Sequence, residues 1–255
     1  MSREKRKSVK KRKITHNCVE SAKVFLWLFK IAFSDSFVGL RSINPNSIFV
    51  QQDDMTRNNS RTIELDADIL ATPFKIETDW HVLTGAACTG KTTMIDMLAK
   101  EGYQIVPESA RLFFEQEMAK GRKLEDIRKE GGSLQRGIAS VQLKFESACQ
   151  TSRRTFLDRA LPDSLTFYRV SGLNPNEILP KCFFHRYATV FILERLPLHR
   201  NQTLGPEDEE SSEFLNEWLY RDYSALGYNV IRVPVLPPKE RLTFILERLS
   251  EKRQA

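Results

Sequence analysis

The chain has 255 residues, of which 41% are hydrophobic and 28% charged, which fits one globular domain with an appendage and excludes wholesale disorder. Eleven Gly and eleven Pro exclude a collagenous or low-complexity chain. The net charge of +6 is local: residues 1–13 hold eight Lys/Arg and one Glu, net +7, and the other 31 basic and 32 acidic residues net −1. A body so close to neutral does not argue for a nucleic-acid-binding domain, although the isoelectric point is about 9.1.

Taken in chain order, residues 1–20 read as a basic, disordered arm, with nucleic acid or an anionic membrane as a possible contact of residues 1–13. Residues 24–33, VFLWLFKIAF, form an apolar run interrupted by Lys30. A spanning helix needs about 20 apolar residues, so no transmembrane segment is expected. Two readings remain for this run: an amphipathic helix packed on the body, or a segment touching a membrane surface. Residues 34–60, with Pro45 and the cluster QQDDMTRNNS, read as a linker, so 21–77 is assigned to an N-terminal extension and 78–255 to the folded domain. The cysteines Cys18, Cys88, Cys149 and Cys182 lack any C-x-x-C or Cys/His spacing. No disulfide framework or zinc site is indicated, and a reducing, cytoplasmic setting is expected.

From about residue 62 the pattern is that of an alternating α/β domain. Short apolar runs at 81–84, 104–106, 155–158, 189–193 and 229–233 read as buried strands. Helical patterns lie between and after them, at 92–100, 109–120, 134–150, 162–170, 212–226 and 239–249. Strands separated by helices imply a parallel sheet covered on both faces, with ligands at the carboxyl ends of the strands.

After the first of these strands, Gly85-Ala86-Ala87-Cys88-Thr89-Gly90-Lys91-Thr92 matches G-x-x-x-x-G-K-[ST] without departure. Gly85 and Gly90 permit a backbone bend that lets successive N–H groups converge on phosphate oxygens. The helix starting near Lys91 adds the positive end of its dipole. Lys91 is expected on the β- and γ-phosphates, and the Thr92 hydroxyl on Mg²⁺, with Thr93 completing the nucleotide contacts. Nucleotide binding, with ATP and Mg²⁺ as cofactors, is therefore the first functional expectation.

The other strand ends supply further candidates. Glu108 suits a general base for an acceptor hydroxyl or a group that positions water, and it also suits a plain helix start. Arg111, one turn on, is placed to clamp an anionic substrate or to pair with Glu108. The third strand ends Phe156-Leu157-Asp158-Arg159, where an Asp is placed to organise Mg²⁺ in phosphate-loop proteins. Asp163 reads as a helix-start residue. After the fourth strand, Arg195 and Arg200 stand in an irregular basic segment that reads as a lid folding over phosphates.

These segments together, GAACTGKTT, YQIVPESAR, FLDRALPDSL, the Arg-containing lid and YSALGYNVIRVPVLPPKERLTFIL, resemble a family of small bacterial AAA-domain predicted ATPases. That family is similar to the kinase-type branch of P-loop proteins, including nicotinamide-riboside kinase domains and, more remotely, thymidylate and deoxynucleoside kinases. The resemblance covers residues 78–250 and implies a P-loop NTPase three-layer sandwich whose five-stranded core has the order 2-3-1-4-5. It also implies Glu108 at the acceptor side, Asp158 and Arg159 near metal and phosphates, and residues 233–241 near the nucleotide base. Ala87 and Cys88 depart from the Pro and Gly usual there. The expected activity is a small-molecule kinase acting on a nucleoside- or nucleotide-like acceptor. The alternatives are a regulatory ATPase controlling partner binding and a non-catalytic nucleotide-binding adaptor.

Overall fold

The computed structural model describes residues 63–196 and 206–251. The basic arm, most of the N-terminal extension and Arg200 lie outside the described residues. The elements are α1 (Ala67–Leu70), β1 (Ile76–Glu77), β2 (Trp80–Thr84), α2 (Lys91–Lys100), β3 (Gln104–Val106), α3 (Ser109–Ala119), α4 (Leu124–Arg128) and α5 (Gly132–Ala148). They continue with β4 (Thr155–Asp158), α6 (Asp163–Val170), two 3₁₀ turns, β5 (His185–Arg186), β6 (Thr189–Leu193), α7 (Pro206–Ala225), β7 (Val230–Val233) and α8 (Pro238–Glu251).

Five strands form one parallel sheet in the order β3-β4-β2-β6-β7. Counting only these core strands along the chain, the order is 2-3-1-4-5, as the resemblance implies. The central strands β2, β4 and β6 are buried at every residue, which is why their sequences read as unbroken apolar runs rather than alternating ones. Alternation is still present in which face each residue covers. Leu83, Phe156, Phe191 and Val233 pack with Met94 and Leu98 of α2 and Ile245 of α8 on one face. Val82, Leu157 and Val190 pack with Ala139 of α5, Leu165 of α6 and Tyr223 of α7 on the other. The result is a three-layer sandwich. β2 has β4 on one side and β6 on the other, so the strand order reverses there, and the crevice lies at its carboxyl end.

Several boundaries differ from expectation for identifiable reasons. α4 was not expected because its five residues show too short a pattern, yet Ile127 is fully buried. The two-residue strands β1 and β5 pair in parallel through Ile76 and His185, a contact set by tertiary packing and invisible to periodicity. α7 begins at Pro206, ahead of the expected 212, because its acidic first turns carry no apolar signal.

Residues 63–77 fall on the extension side of the boundary expected at 78, and they pack on the domain. Asp66 caps α1 by accepting from the N–H groups of Asp68 and Ile69. Leu65, Ile69, Leu70 and Phe74 lie against the large core cluster, with the Phe74 ring 5.0 Å from Phe183 and 5.5 Å from Tyr228. Arg169, buried and paired with Asp222 at 3.1 Å, also donates to the Ile63 carbonyl. Burying an apolar side chain contributes about 1.5–3 kcal/mol. Deleting residues 1–77 is therefore expected to lower the melting temperature by about 10 °C relative to deleting residues 1–62 alone. Thermal melts of the two truncations followed by circular dichroism check this, and equal melting temperatures would refute a structural role for 63–77.

Candidate functional site

The loop between β2 and α2 is built by close backbone approach. Gly85 has φ +135°, and a Cβ placed there would lie 2.8 Å from the Leu193 carbonyl oxygen of β6. Only glycine fits this position, because the strand next door already occupies the space. Gly90, at φ +82°, is the left-handed residue immediately before α2. Cys88 between them also has a positive φ, +57°, a conformation costly to a side-chain-bearing residue. Its carbonyl accepts from the Leu196 N–H, which fixes the start of the segment after β6 against the loop. Such a bent loop leading into a helix N-terminus is a cradle for an anion.

Lys91 is buried and its Nζ donates to the carbonyls of Gly85 (2.8 Å) and Ala86 (2.6 Å) and to Thr89 Oγ1 (3.2 Å). Burial lowers its pKa well below the usual lysine value; the nearby Arg159 adds to this, while Asp158, Glu108 and Asp163 oppose it. Thr92 follows in the first turn of α2, half-buried, and Thr93 is exposed. Asp158 ends β4, in register with Leu83 of β2. It is 6% exposed, and its Oδ1 is buried without a hydrogen-bond partner. Burial and the charge of Glu108 push its pKa above the ordinary carboxylate range, against the pull of Lys91, Arg159 and Arg111. Among the described residues no group of three His, Cys, Asp or Glu stands ready to hold a metal. A hard-oxygen pair such as Thr92 and Asp158 fits Mg²⁺ only if nucleotide oxygens and water complete the shell.

Glu108 occupies the N-cap position of α3, but its side chain makes no capping hydrogen bond. It faces Arg159 instead, with Oε1 3.2 Å from the Arg159 Nε. Arg159 is 5% exposed and takes a left-handed backbone, φ +69°. Its guanidinium also donates to Asp163 Oδ1 (3.0 Å), Thr84 Oγ1 (3.4 Å) and the Gly85 carbonyl (2.9 Å). Asp163 is the first residue of α6, as expected, and it is more than a helix start. Its Oδ1 also accepts from Thr84, and its Oδ2 from the Ala160 N–H and the Tyr223 hydroxyl (2.6 Å). The structure thus joins Glu108, Arg159 and the phosphate loop in one chain of contacts. Arg111 is exposed and acts electrostatically on Asp158. Arg195 is the second residue after β6, with its terminal nitrogens shielded from solvent.

Beside Glu108, between α3, α5 and α6, lies a half-open cleft with about 460 Å³ of empty space, its mouth included. Its walls carry Glu108, Arg159 and Asp163 together with Gln142, Ile138 and Phe167.

Sequence reasoning missed two residues that hold the loop. Arg241, from the first turn of α8 and only 2% exposed, donates to the carbonyls of Thr89 (2.5 Å), Glu194 (2.7 Å), Pro234 (2.9 Å) and Val233 (3.2 Å). Asn216 of α7 accepts the Ala86 N–H at 2.6 Å. The only trace of Arg241 in the sequence is a basic residue where a helix ordinarily favours acids. Asn216 leaves no trace, since its partner lies 130 residues away.

A family model described as AAA domain matches residues 80–241, well over half of the chain. No curated protein matches the sequence at a significant level. Among solved structures, the NadR protein in complex with NAD and AMP-PNP is similar with a TM-score of 0.50 and 19% identity, over 68% of this chain and 49% of that one. This chain therefore spans about half of NadR. Deoxyadenosine kinase from M. mycoides matches over 68% of this chain and 99% of its own, with TM-score 0.48 and 18% identity. Thymidylate kinase from Candida albicans matches over 69% and 92%, with TM-score 0.48 and 12% identity. At such identities the likeness is one of fold. A phosphate-loop motif in a 2-3-1-4-5 parallel sheet and a family match across that whole sheet lead to one assignment: the chain belongs to the AAA domain family, built on the kinase-type P-loop fold.

Proposed function

We propose that the protein is a cytoplasmic, Mg-dependent kinase that transfers the γ-phosphoryl group of ATP to the hydroxyl of a small nucleoside- or nucleotide-like molecule. The observation that carries this reading is the continuity from cleft to loop: Glu108 on the cleft wall is paired to Arg159, which holds the Gly85 carbonyl of the phosphate loop. A loop that only hydrolysed nucleotide would need no walled cleft beside its carboxylate.

In this reading the N–H groups of residues 85–93 and the α2 dipole cradle the phosphates. Lys91 exchanges its loop carbonyls for phosphate oxygens and offsets the charge that develops during transfer. Glu108 accepts the proton of the acceptor hydroxyl at its carboxylate. Arg159 holds that carboxylate in place, and Arg111, close enough to Asp158 to act on it, meets the transferred group. Arg195 stands where the chain leaves β6 beside the phosphate loop, next to Leu196, whose N–H donates to the Cys88 carbonyl. Thr92 and Asp158 would hold Mg²⁺, which neutralises phosphate charge when bound.

Incubating the protein with labelled ATP and a panel of hydroxyl compounds tests the assignment. Phosphorylated product supports it, and acceptor-independent phosphate release would assign the ATPase reading instead. Four substitutions have further expected outcomes. Lys91→Ala loses nucleotide affinity in calorimetry and nearly all turnover, whereas Glu108→Gln keeps nucleotide binding and lowers kcat by about 10². Asp158→Asn raises the Mg²⁺ concentration needed for half-maximal turnover, and superimposable metal titrations would remove it from the metal site. Arg241→Lys keeps the charge but lacks the planar fork that reaches four carbonyls, so it weakens nucleotide binding by about tenfold or more and lowers the melting temperature. Wild-type affinity in that variant would show that the loop holds its shape without the clamp.

A further inference from the structure

The cleft beside Glu108 carries an asymmetry of charge that bears on what it can hold. Of the residues that line it, Arg159 is the only cation, and Glu108 and Asp163 are the acids. Both carboxylates face that one guanidinium, which also serves Thr84 and the Gly85 carbonyl. Two further cations stand nearby but outside the cleft wall: Lys91 donates to the loop, and Arg111 is exposed and acts on Asp158. Helices α3 and α6 both begin at the cleft, and a helix start ordinarily attracts anions. Each of these starts already has a carboxylate: Glu108 at the N-cap position of α3 and Asp163 as the first residue of α6. A phosphate or carboxylate entering the cleft would meet acids in excess, with no lining cation left over to grip it.

The cleft wall also includes a residue whose hydrogen-bond acceptor lacks a donor. Gln142 of α5 is 2% exposed, and its Nε2 donates to Glu146 Oε1 at 2.9 Å. A carboxylate accepts only from the amide nitrogen, so this contact fixes which end of the side chain is which. Glu146 is itself held by the Leu161 N–H (3.0 Å) and the Tyr187 hydroxyl (2.9 Å), so Gln142 cannot readily turn over. Its Oε1 is left buried with no partner. Ile138 and Phe167 supply apolar wall close by.

Building on the phosphoryl-transfer reading, we propose that this cleft takes an uncharged hydroxyl compound with a ring or other apolar body, and that the compound presents an N–H or O–H donor to Gln142 Oε1. The apolar body lies on Ile138 and Phe167, and the reacting hydroxyl meets Glu108. In the transfer, the acceptor oxygen forms its bond to the γ-phosphorus and its proton passes to Glu108. The bond from that phosphorus to the β–γ bridging oxygen breaks, and the electron pair leaves with ADP. Gln142 is thus a specificity residue, and compounds already carrying a phosphate or carboxylate are rejected.

The full-length protein is assayed with labelled ATP on matched acceptors: adenosine, cytidine and thymidine against their 5′-monophosphates, with shikimate as a carboxylate. The uncharged members are expected to show kcat/KM at least about 10²-fold above their anionic partners. Among the uncharged acceptors, methylation that removes the base N–H donors, as in N3-methylthymidine, N6,N6-dimethyladenosine and N4,N4-dimethylcytidine, is expected to raise KM about tenfold. Gln142→Met should erase the difference between methylated and unmethylated forms. Should that variant fail to fold, the methylation comparison on the wild-type protein decides the point alone. Phosphorylation that favours the anionic members overturns the proposal and leaves the kinase reading standing, and equal KM values for methylated and unmethylated acceptors overturn the role of Gln142. ATP hydrolysis with no phosphorylated member of the panel overturns both the proposal and the kinase reading.

Discussion

Four carbonyl oxygens from three stretches of chain converge on the guanidinium of Arg241. Thr89 belongs to the phosphate loop, Glu194 to the end of β6, and Val233 and Pro234 to the end of β7. A loop that must present its N–H groups to an anion cannot also satisfy its carbonyls within regular structure, and buried carbonyls without partners are costly. Arg241 resolves this for Thr89, while Lys91 donates to the carbonyls of Gly85 and Ala86 in the structure described. The two strand ends that flank the loop are thereby fixed to it. Gly85 can then sit against Leu193 closely enough that a Cβ would collide. The geometry of the site rests on a clamp located some 150 residues along the chain from the loop that it holds.

The sequence made the sheet legible because its central strands are buried on both faces. WHVLT, TFLD and TVFIL stand out as short apolar runs, and the intervening helices force parallel crossovers. The phosphate loop was legible because glycine, lysine and threonine at fixed spacing answer to local backbone geometry. The sheet order came from the family resemblance, since periodicity does not say which strands are neighbours. Glu108 and Asp158 were legible as strand-end carboxylates. The pairing of Glu108 with Arg159 and the solitary Oδ1 of Asp158 depend on packing across the crevice. Gln142 and Asn216 were not legible, and of Arg241 only its place in the segment 233–241 was, not its role as a clamp. Each is a polar residue on a helix, a position that in isolation reads as solvated surface; burial makes Gln142 and Arg241 matter, and contact with the Ala86 N–H does so for the half-buried Asn216.

The second layer of the site is a set of buried polar groups that satisfy one another. Glu146 accepts from Gln142, Leu161 and Tyr187, and Asp163 accepts from Thr84, Arg159, Ala160 and Tyr223. These acids tie α5, α6 and α7 to the strand ends and give the cleft fixed walls. Burying such groups is tolerable because nearly every oxygen finds a donor. Within this network the Oδ1 of Asp158 and the Oε1 of Gln142 are the exceptions, buried without a donor.

Arg159 touches both halves of the site with one side chain. Its Nε faces Glu108 at the cleft and its Nη2 holds the Gly85 carbonyl of the loop. A molecule that draws Glu108 toward itself alters the balance of charge on the guanidinium, and Gly85 feels the change. Linkage makes such a coupling reciprocal: the factor by which one ligand alters the affinity of the other is the same in both directions. In the proposed reaction the two-sided attachment of Arg159 would therefore couple acceptor and nucleotide, each altering the grip on the other by the same factor without any movement of the sheet.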